Sequence, residues 1–451
     1  MGKKKYKSKY DVVETLKQQI FPLEYEELIQ DLYNKACRGS SQLLDKITNV
    51  DDLIHDLQFK KDFYASANKG MNEAQDCIIS IIQGSDKIDY PQELLLRGIA
   101  DAIAWQLLGQ QLCYGRRFFK AVKQPDLYNC NFDSVVFAVK ELRKDKPDLV
   151  PLISDLTSFI QVGDLLIFEP EKGIRLCEVK EGEMNSKIGE FMNFYISSRC
   201  DRSLFYFTKK EGTNALKQLQ RMFRQASRMS HVSKVLSTGI GVDPDTQDKI
   251  YIPEQFFEIT TWDDRLESAL EKSDRESYVI DVIDNCLFLG IYSSEHMRKG
   301  GHIAFNLWFD GCGGSSDCPR VSLLDCMKIP LALPIFSRCI PDKYKFDILF
   351  GRKHVCMGIS IDGLLNECRK EGLQVRFATK KERGRLDNTG NKPFKYKGEV
   401  IFIGNGKAEF AIMDGIFLRI LFHGQRPIPL IKVMLDSAGD INKGDIDLDS
   451  Y

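Results

Sequence analysis

The sequence has no uninterrupted apolar run near the roughly 18 residues that a membrane-spanning helix needs. Its first ten residues, MGKKKYKSKY, contain five lysines and no apolar segment of the signal-peptide type. We therefore expect a cytoplasmic protein that is neither secreted nor inserted in a membrane. With 43% hydrophobic and 28% charged residues, the 451-residue chain has enough apolar material for two or three domains with sizeable cores.

The chain also has little net charge, because 63 Lys and Arg nearly balance 64 Asp and Glu. Bulk attraction for nucleic acid is thereby excluded, so a phosphate-binding surface must come from local clusters of basic residues. The 13 cysteines are scattered and odd in number, and Cys312 and Cys318 lack the usual paired spacing of a zinc site. No Walker lysine motif or dinucleotide fingerprint is present, which argues against nucleotide-driven or dinucleotide-dependent activities.

Residues Phe159–Asn185 form the stretch whose spacing indicates a particular chemistry. Two apolar, β-branched runs flank a turn that contains proline and glycine, a pattern that predicts a β-hairpin. If the loop has five residues, Phe168 pairs with Ile174. That register places Asp164 directly opposite Glu178, where cross-strand Cβ atoms lie roughly 4.5–5.5 Å apart.

Lys180 lies two residues after Glu178 and therefore on the same face of the predicted strand. Paired Asp and Glu oxygens are the ligands that Mg²⁺ prefers, completed by water and substrate phosphate. A neighbouring lysine can orient or deprotonate the attacking water, or offset charge on the phosphate. The alternative is that the three charges only decorate the solvent face of an ordinary hairpin.

Two short segments, Gly163-Asp164-Leu165-Leu166 and Glu178-Val179-Lys180, resemble the core motif of the PD-(D/E)xK nuclease superfamily. That motif is an Asp, a spacer of variable length, and then Glu-x-Lys. The resemblance spans about residues 91 to 235. One departure is Val162-Gly163, which stands where many members have proline before the Asp, and it leaves the ligand positions unchanged.

The resemblance implies a restriction-endonuclease-like αβββαβ core and a metal-dependent nuclease. Asp164 and Glu178 would hold one or two Mg²⁺ ions, for which Mn²⁺ substitutes, with the carbonyl of Val179 as a further ligand, and Lys180 would position the attacking water. DNA is favoured over RNA as the substrate, in a restriction or anti-phage defence role that leaves room for a partner defence protein and a homo-oligomer. The alternative is a non-catalytic protein that keeps the scaffold to bind nucleic acid or a protein.

A helix is predicted from Pro91 to about Gln111, with proline near its start and glycine near its end. Glu93, Arg97 and Asp101 are spaced four apart and share one side of it. In the resembled family this helix often presents an acid to the metal site, which implies Asp101, ahead of Glu93, as a further catalytic acid. The alternative is a stripe of salt bridges on a solvent face.

Residues 213–228 predict a capped helix with one apolar and one basic face. Nine Lys or Arg stand against two acids between residues 199 and 234. Such a face can contact a phosphate backbone without base specificity, although a solvated surface helix is an equal alternative. The family resemblance adds a glutamine or basic residue on this helix. The residues that we expect to bind nucleic acid are Lys217, Gln218, Arg221 and Arg224.

Three parts are predicted: a helical N-terminal region (1–90), a PD-(D/E)xK nuclease-like domain (91–248) and an α+β C-terminal domain of unknown role (249–451). Within the second part, the pattern predicts a strand at Ser203–Thr208 and a strand or loop at Tyr114–Lys120. The third part has one predicted helix, Ile361–Glu371. Its predicted strands are Tyr278–Val282, Cys286–Tyr292, Ile303–Phe309, Ile329–Phe336, Phe346–Phe350, Glu399–Ile403 and Phe410–Leu421.

Overall fold

The computed structural model describes residues 19–44, 57–169, 172–180, 182–243, 249–252, 260–387 and 393–442. The chain forms two compact units, one of residues 1–30 and 253–451 and one of residues 31–252. The chain is mixed α/β, and every strand pair in the described ranges is antiparallel. The predicted boundary at 90/91 falls inside the second unit. Residues 1–18 and 45–56 of the predicted helical region lie outside the described residues.

The second unit is mostly helical and contains a three-stranded sheet and a separate pair of strands. Its first helix, α1, crosses the division between the units. Asp89 caps α4 by accepting a hydrogen bond from the amide of Gln92, and Pro91 lies in the first turn, as the sequence predicts. The helices are α1 (Glu26–Arg38), α2 (Ser41–Leu44), α3 (Leu57–Gly84), α4 (Tyr90–Leu107), α5 (Leu112–Phe118), α6 (Asp133–Asp145), α7 (Glu183–Ser198) and α8 (Asp201–Thr238).

The strands of this unit form a three-stranded sheet, β1 (Val150–Ile153), β2 (Leu165–Glu169) and β3 (Gly173–Cys177), in that order. Phe168 pairs with Ile174, so the predicted hairpin register is confirmed. No strand was predicted where β1 lies. Two further strands, β4 (Ile240–Val242) and β5 (Lys249–Tyr251), pair with each other in a separate sheet.

The outer edge of β1 is covered by carboxamide side chains of α3. Gln75 donates to the carbonyl of Pro151 and accepts from the amide of Ile153, while Asn68 and Asn72 donate to the carbonyls of the two residues before β1. All three side chains are buried. Their spacing of four and three residues places them on one face of the helix. They satisfy backbone groups that a fourth strand would otherwise pair.

Two secondary-structure predictions in this unit are wrong. Residues Ser203–Thr208 belong to α8, and residues 114–118 of the predicted strand or loop belong to α5. The apolar run at 203–208 is divided between two helix faces, since Leu204 and Phe207 pack inward while the residues between them are exposed. A three-residue spacing of inward positions is helical, and the run of adjacent aromatics conceals it.

The other unit has a four-stranded sheet in the order β6-β7-β9-β8 and a second sheet in which β12 pairs with β10, β11 and β13. Its strands are β6 (Tyr278–Ile283), β7 (Leu287–Tyr292), β8 (Arg320–Ser322), β9 (His354–Ile359), β10 (Gln374–Phe377), β11 (Lys395–Tyr396), β12 (Glu399–Gly404) and β13 (Glu409–Ala411). Its helices are α9 (Asp263–Lys272), α10 (Glu295–Gly311), α11 (Asp342–Leu349), α12 (Ile361–Lys370), α13 (Lys380–Asp387), α14 (Asp414–Leu421) and α15 (Pro427–Asn442).

The predictions for this unit are confirmed for β6, β7, β12 and α12 and wrong for four of the expected strands. Ile303–Phe309 lies in α10, where Phe305 and Phe309, four apart, are buried and Ile303 and Leu307 are exposed. Phe346–Phe350 falls mainly in α11, and Phe410–Leu421 is divided between β13 and α14. Ile329–Phe336 forms turns and the start of a 3₁₀ helix.

Across the described ranges, we find no helix with both the length and the apolar character required to cross a membrane.

Candidate active site

The hairpin brings Asp164 and Glu178 to one cavity. The ladder ends at the pair Leu165 and Cys177, and the amide of Asp164 still donates to the carbonyl of Cys177 at 2.9 Å. The amide of Val179 donates to Oδ2 of Asp164 at 2.7 Å, which locks the carboxylate across the end of the hairpin. Both acids line a cavity of about 260 Å³, as the predicted register requires.

Gly163 lies where the two strands of the hairpin approach closely. It has a φ of 78°, a conformation that favours glycine, and a Cβ there would lie 3.1 Å from the carbonyl oxygen of Cys177. The residue before Asp164 must therefore be small, because the two strands approach closely where the carboxylates meet. A non-glycine residue would be strained at this φ and would press on the carbonyl of Cys177.

Asp155 is a third acid in the same cavity. Burial raises its pKa, the guanidinium of Arg97 lowers it, and the charge of Glu178 raises it. The pKa of Asp164 is likewise raised, first by burial and then by Glu178. Three mutually repelling carboxyls therefore share one half-buried space, an arrangement that a cation would relieve. Asp155 was not predicted as a site residue because no strand was predicted at β1, which directly precedes it.

Lys180 contacts the site through its amine. Nζ donates to Oε1 of Glu178 at 2.7 Å and to Oε1 of Gln225, on α8, at 3.2 Å. The side chain is not held on the Glu178 face by strand geometry, since β3 ends at Cys177. It lies along a neighbouring groove with Cys177 and Val179 and reaches the acid from there.

Asp101 lies elsewhere. It is buried in α4 and accepts a hydrogen bond from the amide of Ser158 at 2.7 Å, and it does not line the cavity of Asp164. Its neighbour in the predicted stripe, Arg97, is also buried and bonds to Glu93 at 2.8 Å, so the stripe does not face solvent. Asp101 therefore holds the segment that follows Asp155. The third acid in the cavity is Asp155, and the prediction of Asp101 at that place is wrong.

Because burial raises the pKa of Asp101 to about 6 from 3.8, ionisation costs the folded state about 3 kcal/mol. The folded state retains its proton more tightly than the unfolded chain does, so this contribution to stability falls as pH rises through 3.8 to 6. We expect Asp101→Asn to gain up to about 3 kcal/mol over wild type between pH 4 and pH 7.5. Urea unfolding at several pH values measures the gap, with Asp62→Asn, on the exposed face of α3, as control; a gap that ignores pH contradicts the prediction.

The part of α8 that reaches the cavity lies two helical turns after Gln218, the glutamine expected from the sequence. Gln218 donates to Oδ1 of Asn185 at 3.2 Å and so ties α8 to the start of α7. The glutamine that reaches the site is Gln225, seven residues further along the same face, and Arg228 also lines the cavity. Of the other residues expected to bind nucleic acid, Lys217, Arg221 and Arg224 are exposed on α8.

The cavity has a mixed charge that suits a phosphodiester and a cation. Lys120, Lys123 and Arg228 line it together with the three acids. In the described ranges, no three His, Cys, Asp or Glu side chains form a ready group that could hold a metal ion. Mg²⁺ commonly takes only one or two carboxylates and completes its shell with water and phosphate. Asp164 and Glu178 supply two such carboxylates to this cavity, whereas Val179 lines the neighbouring groove.

Comparison with known proteins adds no relative. The resemblance to PD-(D/E)xK nucleases therefore rests on the residues around Asp164 and Glu178. No protein-family model, no curated protein and no solved structure matches this chain.

Proposed function

We propose that this protein is a metal-dependent nuclease that hydrolyses phosphodiester bonds of DNA or RNA, with a role in restriction or anti-phage defence. The observation that supports it is the convergence of Asp155, Asp164 and Glu178 in one cavity, with Lys180 bonded to Glu178. Burial and the charge of Glu178 raise the pKa of Asp155 and of Asp164. Ionised acids in such a place are costly to a fold, so their presence favours a function in cation binding.

In this proposal Asp164 and Glu178 hold Mg²⁺ or Mn²⁺, with Val179 supplying a carbonyl. The bound cation would neutralise charge that develops on the scissile phosphate. Lys180, held between Glu178 and Gln225, positions the attacking water and carries a positive charge beside the phosphate. Arg228 at the cavity and the exposed cations of α8 hold the nucleic-acid backbone.

Cleavage of labelled DNA and RNA, single-stranded and duplex, tests the proposal. We expect the wild type to cut at least one of the four substrates in Mg²⁺ or Mn²⁺, to stop when the metal is chelated, and to resume when it is restored. Glu178→Gln should reduce the rate by about tenfold to a hundredfold, because it removes one charged ligand and the negative charge that pairs with Lys180. Glu190→Gln, on the exposed surface of α7, is the matched control and should cut like wild type.

Two outcomes contradict the proposal. One is an equal rate for Glu178→Gln and Glu190→Gln, which would mean that the observed cutting comes from another site or a contaminant. The other is binding of all four substrates without cutting in either metal. The second outcome would support the alternative of a non-catalytic protein that keeps a nuclease-like scaffold to hold nucleic acid.

A further inference from the structure

An exposed face of α8 carries aromatic and basic side chains together. The helix is broken at Gly212, whose φ of 87° and ψ of 172° are not helical, so residues 201–211 form a separate arm. Along this arm five side chains recur at positions i, i+3, i+4, i+7 and i+8, which is one face of a helix. This aromatic-basic stripe consists of Arg202, Phe205, Tyr206, Lys209 and Lys210.

The stripe is not part of the core. Phe205 and Tyr206 are 66% and 67% exposed, and their ring centroids lie 5.8 Å apart in an edge-to-face arrangement. The opposite face of the arm already supplies the packing, since Leu204 and Phe207 contact the cluster of Ile188, Leu219 and Met222. The fold therefore gains nothing from two large aromatics on the solvent side. Exposed aromatics next to one another indicate a binding surface.

Charge indicates the kind of partner. Arg202 lies four residues before Tyr206 and Lys210 four residues after it, so the ring has a cation on each side, and Lys209 stands four residues from Phe205. The three cations are exposed. Nζ of Lys210 also lies 3.6 Å from Oε1 of Glu211, with which it forms an ion pair. An anionic, aromatic ligand satisfies both features at once, because phosphates pair with cations and bases stack on rings.

We infer that the aromatic-basic stripe binds single-stranded nucleic acid, with Phe205 and Tyr206 stacked on unpaired bases and Arg202, Lys209 and Lys210 against phosphates. A duplex hides the faces of its bases, so only an unpaired segment uses both rings. The inference rests on the proposed function in one respect: it takes the ligand to be the nucleic acid that the cavity would cut. The stripe then selects substrates with a single-stranded region.

Fluorescence anisotropy with labelled dT₂₀ and rU₂₀, in chelator so that no cutting occurs, tests the inference. Phe205→Ala/Tyr206→Ala should weaken binding of at least one oligomer by at least about tenfold, since each stacked base contributes roughly 1–3 kcal/mol. The matched control is Tyr90→Ala/Tyr128→Ala, which removes two aromatic side chains that are 63% and 53% exposed elsewhere in the unit. The control should bind like wild type, and a duplex 20-mer should lose far less affinity than the single strands.

Arg202→Gln/Lys210→Gln separates stacking from charge. It should reduce the dependence of log affinity on log salt by about 1.4, because each lost phosphate contact contributes about 0.7 for single strands. Equal binding by the aromatic variant and its control overturns the inference, even if the protein cuts. So does a variant that binds normally but loses self-association in light scattering, which would make the stripe an interface between copies. Loss of binding without any metal-dependent cutting leaves the inference standing and contradicts the proposed nuclease.

Discussion

Replacing Asp164 by asparagine is expected to lower the rate of metal-dependent cleavage by roughly 10³-fold, or about 4 kcal/mol of transition-state stabilisation. Asparagine has nearly the same shape, and its amide oxygen can still accept the hydrogen bond that the amide of Val179 gives at 2.7 Å. The substitution removes the negative charge and replaces the second carboxylate oxygen with an NH2 group. If that charge holds the cation, cleavage falls while the end of the hairpin keeps its geometry.

The stability of the Asp164→Asn protein against unfolding should stay the same or increase. The pKa of Asp164 is raised by burial and by Glu178, so its ionised form is disfavoured in the folded state and destabilises the protein at pH values above that raised pKa. Asparagine removes this repulsion. We therefore expect the Asp164→Asn protein to unfold in urea at the same or a higher midpoint than wild type at pH 7.5. Loss of activity joined to unchanged or increased stability is typical of a functional charge.

Single-turnover cleavage and urea unfolding of the same preparations measure both quantities. Asp62→Asn, an exposed acid on α3, controls for the substitution. A fall in stability parallel to the fall in rate would mean that Asp164 holds the hairpin and not a cation. An unchanged rate would move the catalytic metal away from this cavity.

The hairpin could be predicted because its information is local. The register of Phe168 with Ile174 follows from a turn between two β-branched runs, and it places Asp164 beside Glu178 without reference to the rest of the chain. The contact of Lys180 with Glu178 was expected for the same reason. In the structure Lys180 also donates to Gln225, and a local pattern cannot predict a partner that lies 45 residues away in the sequence.

Local patterns did not identify the secondary structure of two other segments, residues 203–208 and β1. At 203–208 four consecutive apolar residues suit a strand, yet α8 turns two of them inward and two outward. β1 was missed for the opposite reason. It has only four residues, and its edge is completed by Asn68, Asn72 and Gln75 of a helix more than 70 positions earlier. Tertiary contacts decide both cases.

Arg97 is expected to be the residue of this unit whose loss costs the most stability. Its buried guanidinium bonds to Glu93 at 2.8 Å, to the carbonyls of Asp155 and Thr157 at 2.8 and 2.9 Å, and to the carbonyl of Pro125. From the sequence, Arg97 was expected only as a member of the stripe with Glu93 and Asp101. The three carbonyls belong to the two segments that carry cavity residues, so one side chain of α4 holds both walls of the site.

Arg97→Met should lower the free energy of unfolding by about 3–5 kcal/mol, because it leaves the carboxylate of Glu93 and three carbonyls without their shared donor. Arg97→Lys should recover little, since one ammonium cannot serve the fork of acceptors that a planar guanidinium serves. Urea unfolding measures both variants. Arg143→Met, which removes the partner of exposed Asp76, is the control and should cost about 1 kcal/mol or less.

Comparing Arg97→Met with Asp155→Asn distinguishes a structural role of Asp155 from a catalytic one. In conditions where Arg97→Met is still folded, its cleavage rate should fall because Asp155 loses both its anchored backbone and the nearby charge that lowers its pKa. Asp155→Asn should lower the rate without the large loss of stability, since the carbonyl that Arg97 binds remains. If both variants lose stability equally, Asp155 serves the fold alone. If Arg97→Met unfolds within about 1 kcal/mol of wild type, the two walls of the cavity are held by other contacts.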